Sequence, residues 1–201
     1  SFYNKTPKGK RFMLKIVSYV AIEITRRCNE HCIFCMRGEP QGIDISKEYI
    51  DKLLGEKRVI IANLTLSGGE PTLNEKLVEY IIDKIIQERL VVLSLQMPTN
   101  GLLYSETIIR AFERFYDYVS EHLLEIYHLL ELRNPIVEIR ISNDQFHLEA
   151  NALYHKSNEK IKITYTGNKD ILDDDVLLTG RAKKEIPFGR HFDYHLLELV
   201  I

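Results

Sequence analysis

Five short segments of the chain alternate apolar and polar positions with a period of two: 19–25, 59–67, 91–96, 136–142 and 161–166. Each mixes β-branched and apolar residues and closes on a turn or polar cluster, which predicts five strands, with a weaker sixth at 195–200. Helix-type stretches run between them. Ser46 is placed to cap a helix over 47–54, Asn74 one over 75–89, and Ser105 a long one running toward His122, with a further helical piece at 123–133. Strands and helices in alternation predict a parallel α/β sheet or barrel. The segment 168–186 is polar, acidic at 173–175, and reads as a loop.

Side chains alternate faces along a strand. Glu23 and Thr25 therefore oppose Ile22 and Ile24, and Asn63, Thr65 and Ser67 oppose Leu64 and Leu66. Ser94 and Gln96 oppose Leu93 and Leu95; Glu138, Arg140 and Ser142 oppose Val137, Ile139 and Ile141; Lys162, Thr164 and Thr166 oppose Ile161, Ile163 and Tyr165. A parallel sheet covered by helices on both faces reads as almost continuously apolar. Two explanations remain for one polar face. It lines a cavity holding a polar ligand, which means an α/β fold of the partial, open parallel β/α barrel type with about six βα units; or it is simply solvated. Parallel βα units seldom leave a face bare, which favours the barrel.

The length of 201 residues suits one domain over 1–201, with 1–15 as an amino-terminal extension. A net charge of -2 gives no electrostatic reason to expect nucleic acid as a partner. No apolar run approaches the roughly 20 residues of a membrane helix, and the polar, basic start is not a signal peptide. The chain begins without Met and stops on the apolar run 196–201, so a further carboxyl-terminal extension is expected. Its three cysteines all fall between positions 28 and 35, a poor disulfide framework that fits a reducing cytoplasm better.

Those cysteines carry the strongest chemistry, in Cys28-Asn-Glu-His-Cys32-Ile-Phe-Cys35 after the first strand. Thiolates suit iron–sulfur clusters or zinc, and spacings this short let one loop wrap one centre. Ordinary four-iron clusters and structural zinc take four protein ligands, yet there is no fourth cysteine. Three readings stay open: a four-iron cluster with one iron free for a ligand, zinc held by three cysteines and His31, or three cysteines buried without function. His31 adjoins Cys32 and would have to fold back awkwardly to ligate beside it.

The spacing, with aromatic Phe34 before the last cysteine, resembles the signature of the radical S-adenosylmethionine (SAM) superfamily. That resemblance implies a [4Fe–4S] cluster held by Cys28, Cys32 and Cys35, with SAM chelating the fourth iron. The turn Ser67-Gly68-Gly69-Glu70-Pro71-Thr72 would alone be mere punctuation. After this cysteine loop it is similar to the family's site for the SAM amino group, which implies that role for Gly68, Gly69 and Glu70, with Phe34 also near SAM.

Weaker likenesses follow. Ser142-Asn143-Asp144 resembles a turn near the SAM ribose, implying SAM contacts for Ser142 and Arg140; a capping turn that opens another helix explains it equally well. Asn100, in Thr99-Asn100-Gly101, could face the same site. Asp144 and His147 are candidates for substrate or SAM contact, although a His there is more often a helix-start residue. Arg181, in Gly180-Arg181-Ala182, is a further candidate beside an exposed basic loop reading. Arg26 and Arg27 either offset cluster charge, receive an electron donor, or are simply solvated.

The implied function is reductive cleavage of SAM to a 5′-deoxyadenosyl radical that takes hydrogen from a peptide or small-molecule substrate, fed by an external flavodoxin- or ferredoxin-like donor. No cysteine follows Cys35, so no auxiliary cluster fits within this chain. The alternatives are an iron–sulfur electron-transfer or redox-sensing module without SAM chemistry, and a zinc-stabilised interaction domain. Neither needs the turn at Gly68, Gly69 and Glu70.

Overall fold

The computed structural model describes residues 3–5, 11–13, 15–55, 58–132, 135–144, 147–155 and 158–167. The expected sixth strand at 195–200 and Arg181 lie outside them. A small antiparallel pair, β1 (Tyr3–Lys5) and β2 (Arg11–Met13), precedes the main sheet. That sheet is parallel throughout. Its first edge is β3 (Lys15–Val17) continued by β4 (Val20–Thr25), both paired with β5 (Val59–Gly68) in the same register across a break at Ser18 and Tyr19. Then follow β6 (Val91–Thr99), β7 (Ile136–Ser142) and β8 (Lys162–Thr166). The order is sequential, and under the general right-handed rule for parallel crossovers such an order puts the connecting helices on one side. The result is a partial parallel β/α barrel.

The helices are α1 (Lys47–Leu53), α2 (Glu75–Gln87), α3 (Glu106–His122) and α4 (Leu124–Leu129). Ser46 and Ser105 cap α1 and α3 through their side chains, as the sequence predicts. Asn74 makes no capping bond. A 3-10 turn over Pro71–Asn74 precedes α2, and its cap is Glu70. Helix α2 stops short of the expected end because Arg89 turns left-handed (φ 52), with the Arg89 and Leu90 amides bonded back to Ile86 and Ile85.

The register sorts the two faces. Leu64, Leu95 and Val137 align in one row, and Leu66, Met97 and Ile139 in the next; all are at most 2% exposed and face Val78, Ile81 and Ile82 of α2 and Phe112 and Phe115 of α3 in one core. The opposite face carries Thr65, Gln96, Glu138 and Lys162, then Ser67, Arg140 and Thr164. Thr65, Ser67, Ser94 and Glu138 are buried, which removes the solvated-face explanation at the sheet's centre. Among the described residues, no helix is long and apolar enough to cross a membrane.

Candidate metal and nucleotide site

The site lies at the carboxyl ends of β4, β5, β6 and β7, where ligands gather in parallel α/β folds. Strand β4 delivers the chain into the cysteine loop, and the turn after β5 is built against that delivery. The Gly69 amide donates to the Thr25 carbonyl and the Glu70 amide to the Arg27 carbonyl, each at 2.7 Å. A Cβ on Gly69 would stand 2.3 Å from the Arg27 oxygen, so only glycine permits this approach. The glycine pair thus seats the cysteine loop, whatever else it contacts.

Glu70 is 1% exposed. Its Oε1 accepts from the Thr72 amide (3.0 Å), the Thr72 hydroxyl (2.7 Å) and the Thr99 hydroxyl (2.7 Å), and its Oε2 accepts from the Asn100 amide (2.8 Å). A carboxylate offers about four lone-pair sites, and the geometry here leaves room mainly at Oε2. Asn100 in turn donates from Nδ2 to Oδ1 of Asn29, inside the cysteine loop, at 2.8 Å. Gly101, at φ +76 and with Ile141 and Ala150 too close for any Cβ, completes that turn.

Cys28, Cys32 and Cys35 form no disulfide and line one pocket with Glu30, Arg37 and Gly69. Burial pushes the Cys28 thiol pKa up despite a hydrogen bond from the Glu30 amide, with Glu70, Cys35 and Glu30 adding to the rise. Burial and then the Glu30 carboxylate push Cys32 up to about 12. Burial and the acidic groups around Cys28 and Cys32 disfavour their thiolates until a cation or metal cluster compensates them, and binding one releases protons. The donor set, one loop and no disulfide fit an iron–sulfur cluster.

The loop is fastened from several sides. Arg37 donates to Glu23 (2.7 Å) and to the Ser67 hydroxyl (2.9 Å), tying it to the polar sheet face. Arg27 forms a two-pronged pair with Asp44, and Arg26 bonds Gln41 and pairs with Glu23, so neither arginine is merely solvated. His147, from the segment after β7, places Nε2 3.7 Å from Cys32 Sγ while its Nδ1 meets Asp144 at 2.7 Å. Phe34 stands edge-on to that His147 ring.

Of the residues singled out in sequence, Cys28, Cys32, Cys35, Phe34, Gly69, Asp144 and His147 are joined by these contacts around the cysteine pocket, and Gly68, Glu70 and Asn100 adjoin them. Arg140 and Ser142 stand further along β7, on the polar face, with Arg140 Nε bonded to Glu138 at 2.8 Å. Among the described residues no α-helix follows Ser142. His31 stands apart from the three cysteines: its side chain is 72% exposed and pairs with Glu39. Asn29, Glu30, Thr72, Thr99 and Arg37 were not singled out. Asn29 and Glu30 could have been found, since they lie inside the cysteine motif.

A three-cysteine loop fastened to the carboxyl ends of a partial parallel barrel is the arrangement of a protein built to hold a sulfur-bound metal centre beside a polar ligand. The chain belongs to the Radical SAM superfamily, whose family model matches residues 22–181. The cofactors of that family are a [4Fe–4S] cluster and S-adenosylmethionine. A probable GTP 3′,8-cyclase of Thermococcus kodakarensis is 34% identical over 89 residues, 42% of this chain and 28% of that protein. One from Pyrococcus abyssi is 36% identical over 88 residues, again 42% and 28%. The chain thus spans little more than a quarter of these relatives. Streptococcus suis SuiB, solved with precursor peptide SuiA, aligns at TM-score 0.41 and 12% identity over 66% of this chain and 34% of SuiB.

Proposed function

We propose that this chain is the cofactor-binding core of an enzyme that cleaves SAM reductively and uses the product to take hydrogen from a peptide or small-molecule substrate. Cys28, Cys32 and Cys35 would hold the cluster. When bound, a [4Fe–4S] cluster with SAM supplies one-electron cleavage of the sulfonium and a 5′-deoxyadenosyl radical. Gly68, Gly69 and Glu70 would receive the SAM amino group through backbone carbonyls and the remaining acceptor site on Glu70 Oε2. Arg140 and Ser142 would bind carboxylate and ribose further along the polar face. The names of the relatives add a purine nucleotide such as GTP to the small-molecule candidates. An external flavodoxin- or ferredoxin-like protein would supply the electron.

The observation that carries this reading is the mutual fastening of the two motifs. Gly69 and Glu70 bond to Thr25 and Arg27 just ahead of Cys28, and Asn100 links Glu70 to Asn29 just behind it. A ligand touching the turn is thereby held beside the thiolates, and such fixed placement is what the protein contributes to cofactor chemistry. An electron-transfer module has no use for it.

The test is anaerobic reconstitution with iron and sulfide. The protein should take up about four of each, change its electron paramagnetic resonance spectrum on adding SAM, and release 5′-deoxyadenosine with dithionite. Cys32→Ala should abolish all three. A reconstituted cluster indifferent to SAM would sink the reading.

A further inference from the structure

Three donor atoms, two from the cysteine loop and one from the segment after β7, form a nearly regular triangle. Cys32 Sγ is 3.7 Å from Glu30 Oε2 and 3.7 Å from His147 Nε2, and His147 Nε2 is 3.8 Å from the same Glu30 oxygen. An ion at the centre of this triangle would lie about 2.2 Å from each corner, which matches zinc bonds to sulfur, imidazole and carboxylate of about 2.0–2.3 Å. We propose that Glu30, Cys32 and His147 form a mononuclear site for a divalent ion of the zinc type, with one position left to water. The donor set is the mixed sulfur, nitrogen and oxygen kind that zinc accepts.

Two further observations support a built site. The side chains of Glu30 and His147 are only 7% and 9% exposed, so the donors are held rather than waving in solvent. Asp144 also grips His147 Nδ1 at 2.7 Å, the carboxylate–histidine arrangement that presents the other ring nitrogen to a metal. The remaining Glu30 oxygen accepts from the Leu148 amide at 3.3 Å, which fixes that carboxylate against the same segment. This ligand set differs from three cysteines with His31, whose ring points into solvent.

Cys32 belongs to both this site and the three-cysteine set, so the two occupants exclude one another. That consequence rests on the reading of Cys28, Cys32 and Cys35 as cluster ligands; the ion site itself does not. Zinc bound here would block cluster assembly until it is withdrawn.

The experiment uses the full chain, reduced, stripped by chelator and kept anaerobic, with zinc as the probe and a chromophoric chelator as competitor. Wild type should retain one zinc per chain. His147→Ala and Glu30→Gln should each weaken binding at least about tenfold, and Asp144→Asn, which leaves all three donors in place, by about tenfold. The Cys28→Ser/Cys35→Ser double variant should keep the wild-type affinity. Circular dichroism confirms that each variant is folded. Failure of wild type to retain zinc, full affinity in folded His147→Ala, or loss in the folded double-cysteine variant each overturns the site. In a second arm, zinc preloading should suppress iron and sulfide uptake in wild type but not in His147→Ala. If no form takes up iron and sulfide while the zinc pattern holds, the cluster reading falls alone; if the cluster forms and the zinc pattern does not, this inference falls alone.

Discussion

Glu70 concentrates the architecture of the site in one side chain. It caps the turn after β5, holds the Thr99 hydroxyl and Asn100 amide at the end of β6, and so fixes two strand ends relative to each other before any ligand arrives. Glu70→Gln replaces one acceptor by a donor. Either orientation of the amide then points an NH2 at an N–H or hydroxyl that had been satisfied in a buried setting. Leaving such a group unpaired costs about 1–3 kcal/mol. The ligand-free protein should therefore lose that much stability in a denaturant titration. An unchanged midpoint would mean that this carboxylate serves the ligand alone. The sequence pointed to Glu70 through its neighbouring glycines, but its structural duty was hidden, because Thr99 lies 29 residues away.

At the level of elements, the caps differ in consequence. Ser46 begins the exposed start of α1 with a single bond to the Tyr49 amide. Ser105 is buried, accepts from the Ile108 amide and also donates to Glu75 in the first turn of α2, so it joins the starts of two helices that pack together. Ser105→Ala should cost about 1–2 kcal/mol and exceed Ser46→Ala, at about 0.5–1 kcal/mol, in thermal melts. Equal losses would show that the Glu75 link contributes nothing. Both caps were legible, since an N-cap signal is local. Asn74 misled for the opposite reason: it precedes an amphipathic run, but Glu70 and Pro71 have already started a turn ahead of it. All five central strands were legible too, because the polar and apolar rows set by β-sheet register coincide with alternation in the sequence.

Across the whole molecule, the motifs declared in sequence are short and local, whereas what binds them together is not. The Cys32–His147 contact spans 115 residues and the Arg37–Ser67 bond 30, separations at which no spacing rule operates. The polar face poses the same problem on a larger scale. Its centre is charged yet buried, and Glu138 is the acid on which it turns, with Arg140, Thr164 and Lys162 around it. Burial alone would raise the Glu138 pKa, but the hydrogen bonds from Arg140 and Thr164, with the charges of Arg140 and Lys162, outweigh it and hold the value below the ordinary glutamate range. A depressed folded pKa means that the unfolded chain takes the proton first as pH falls. The resulting stabilisation is complete above the unfolded value near 4.3 and disappears as pH drops through the lower folded value. Other carboxylates titrate in that window, so the measurable quantity is a difference. Glu138→Gln should be less stable than wild type at pH 7, and the gap should narrow as pH falls below about 4. A gap that stays constant from neutral to acid pH would mean that the carboxylate's charge is not what holds the inner face together.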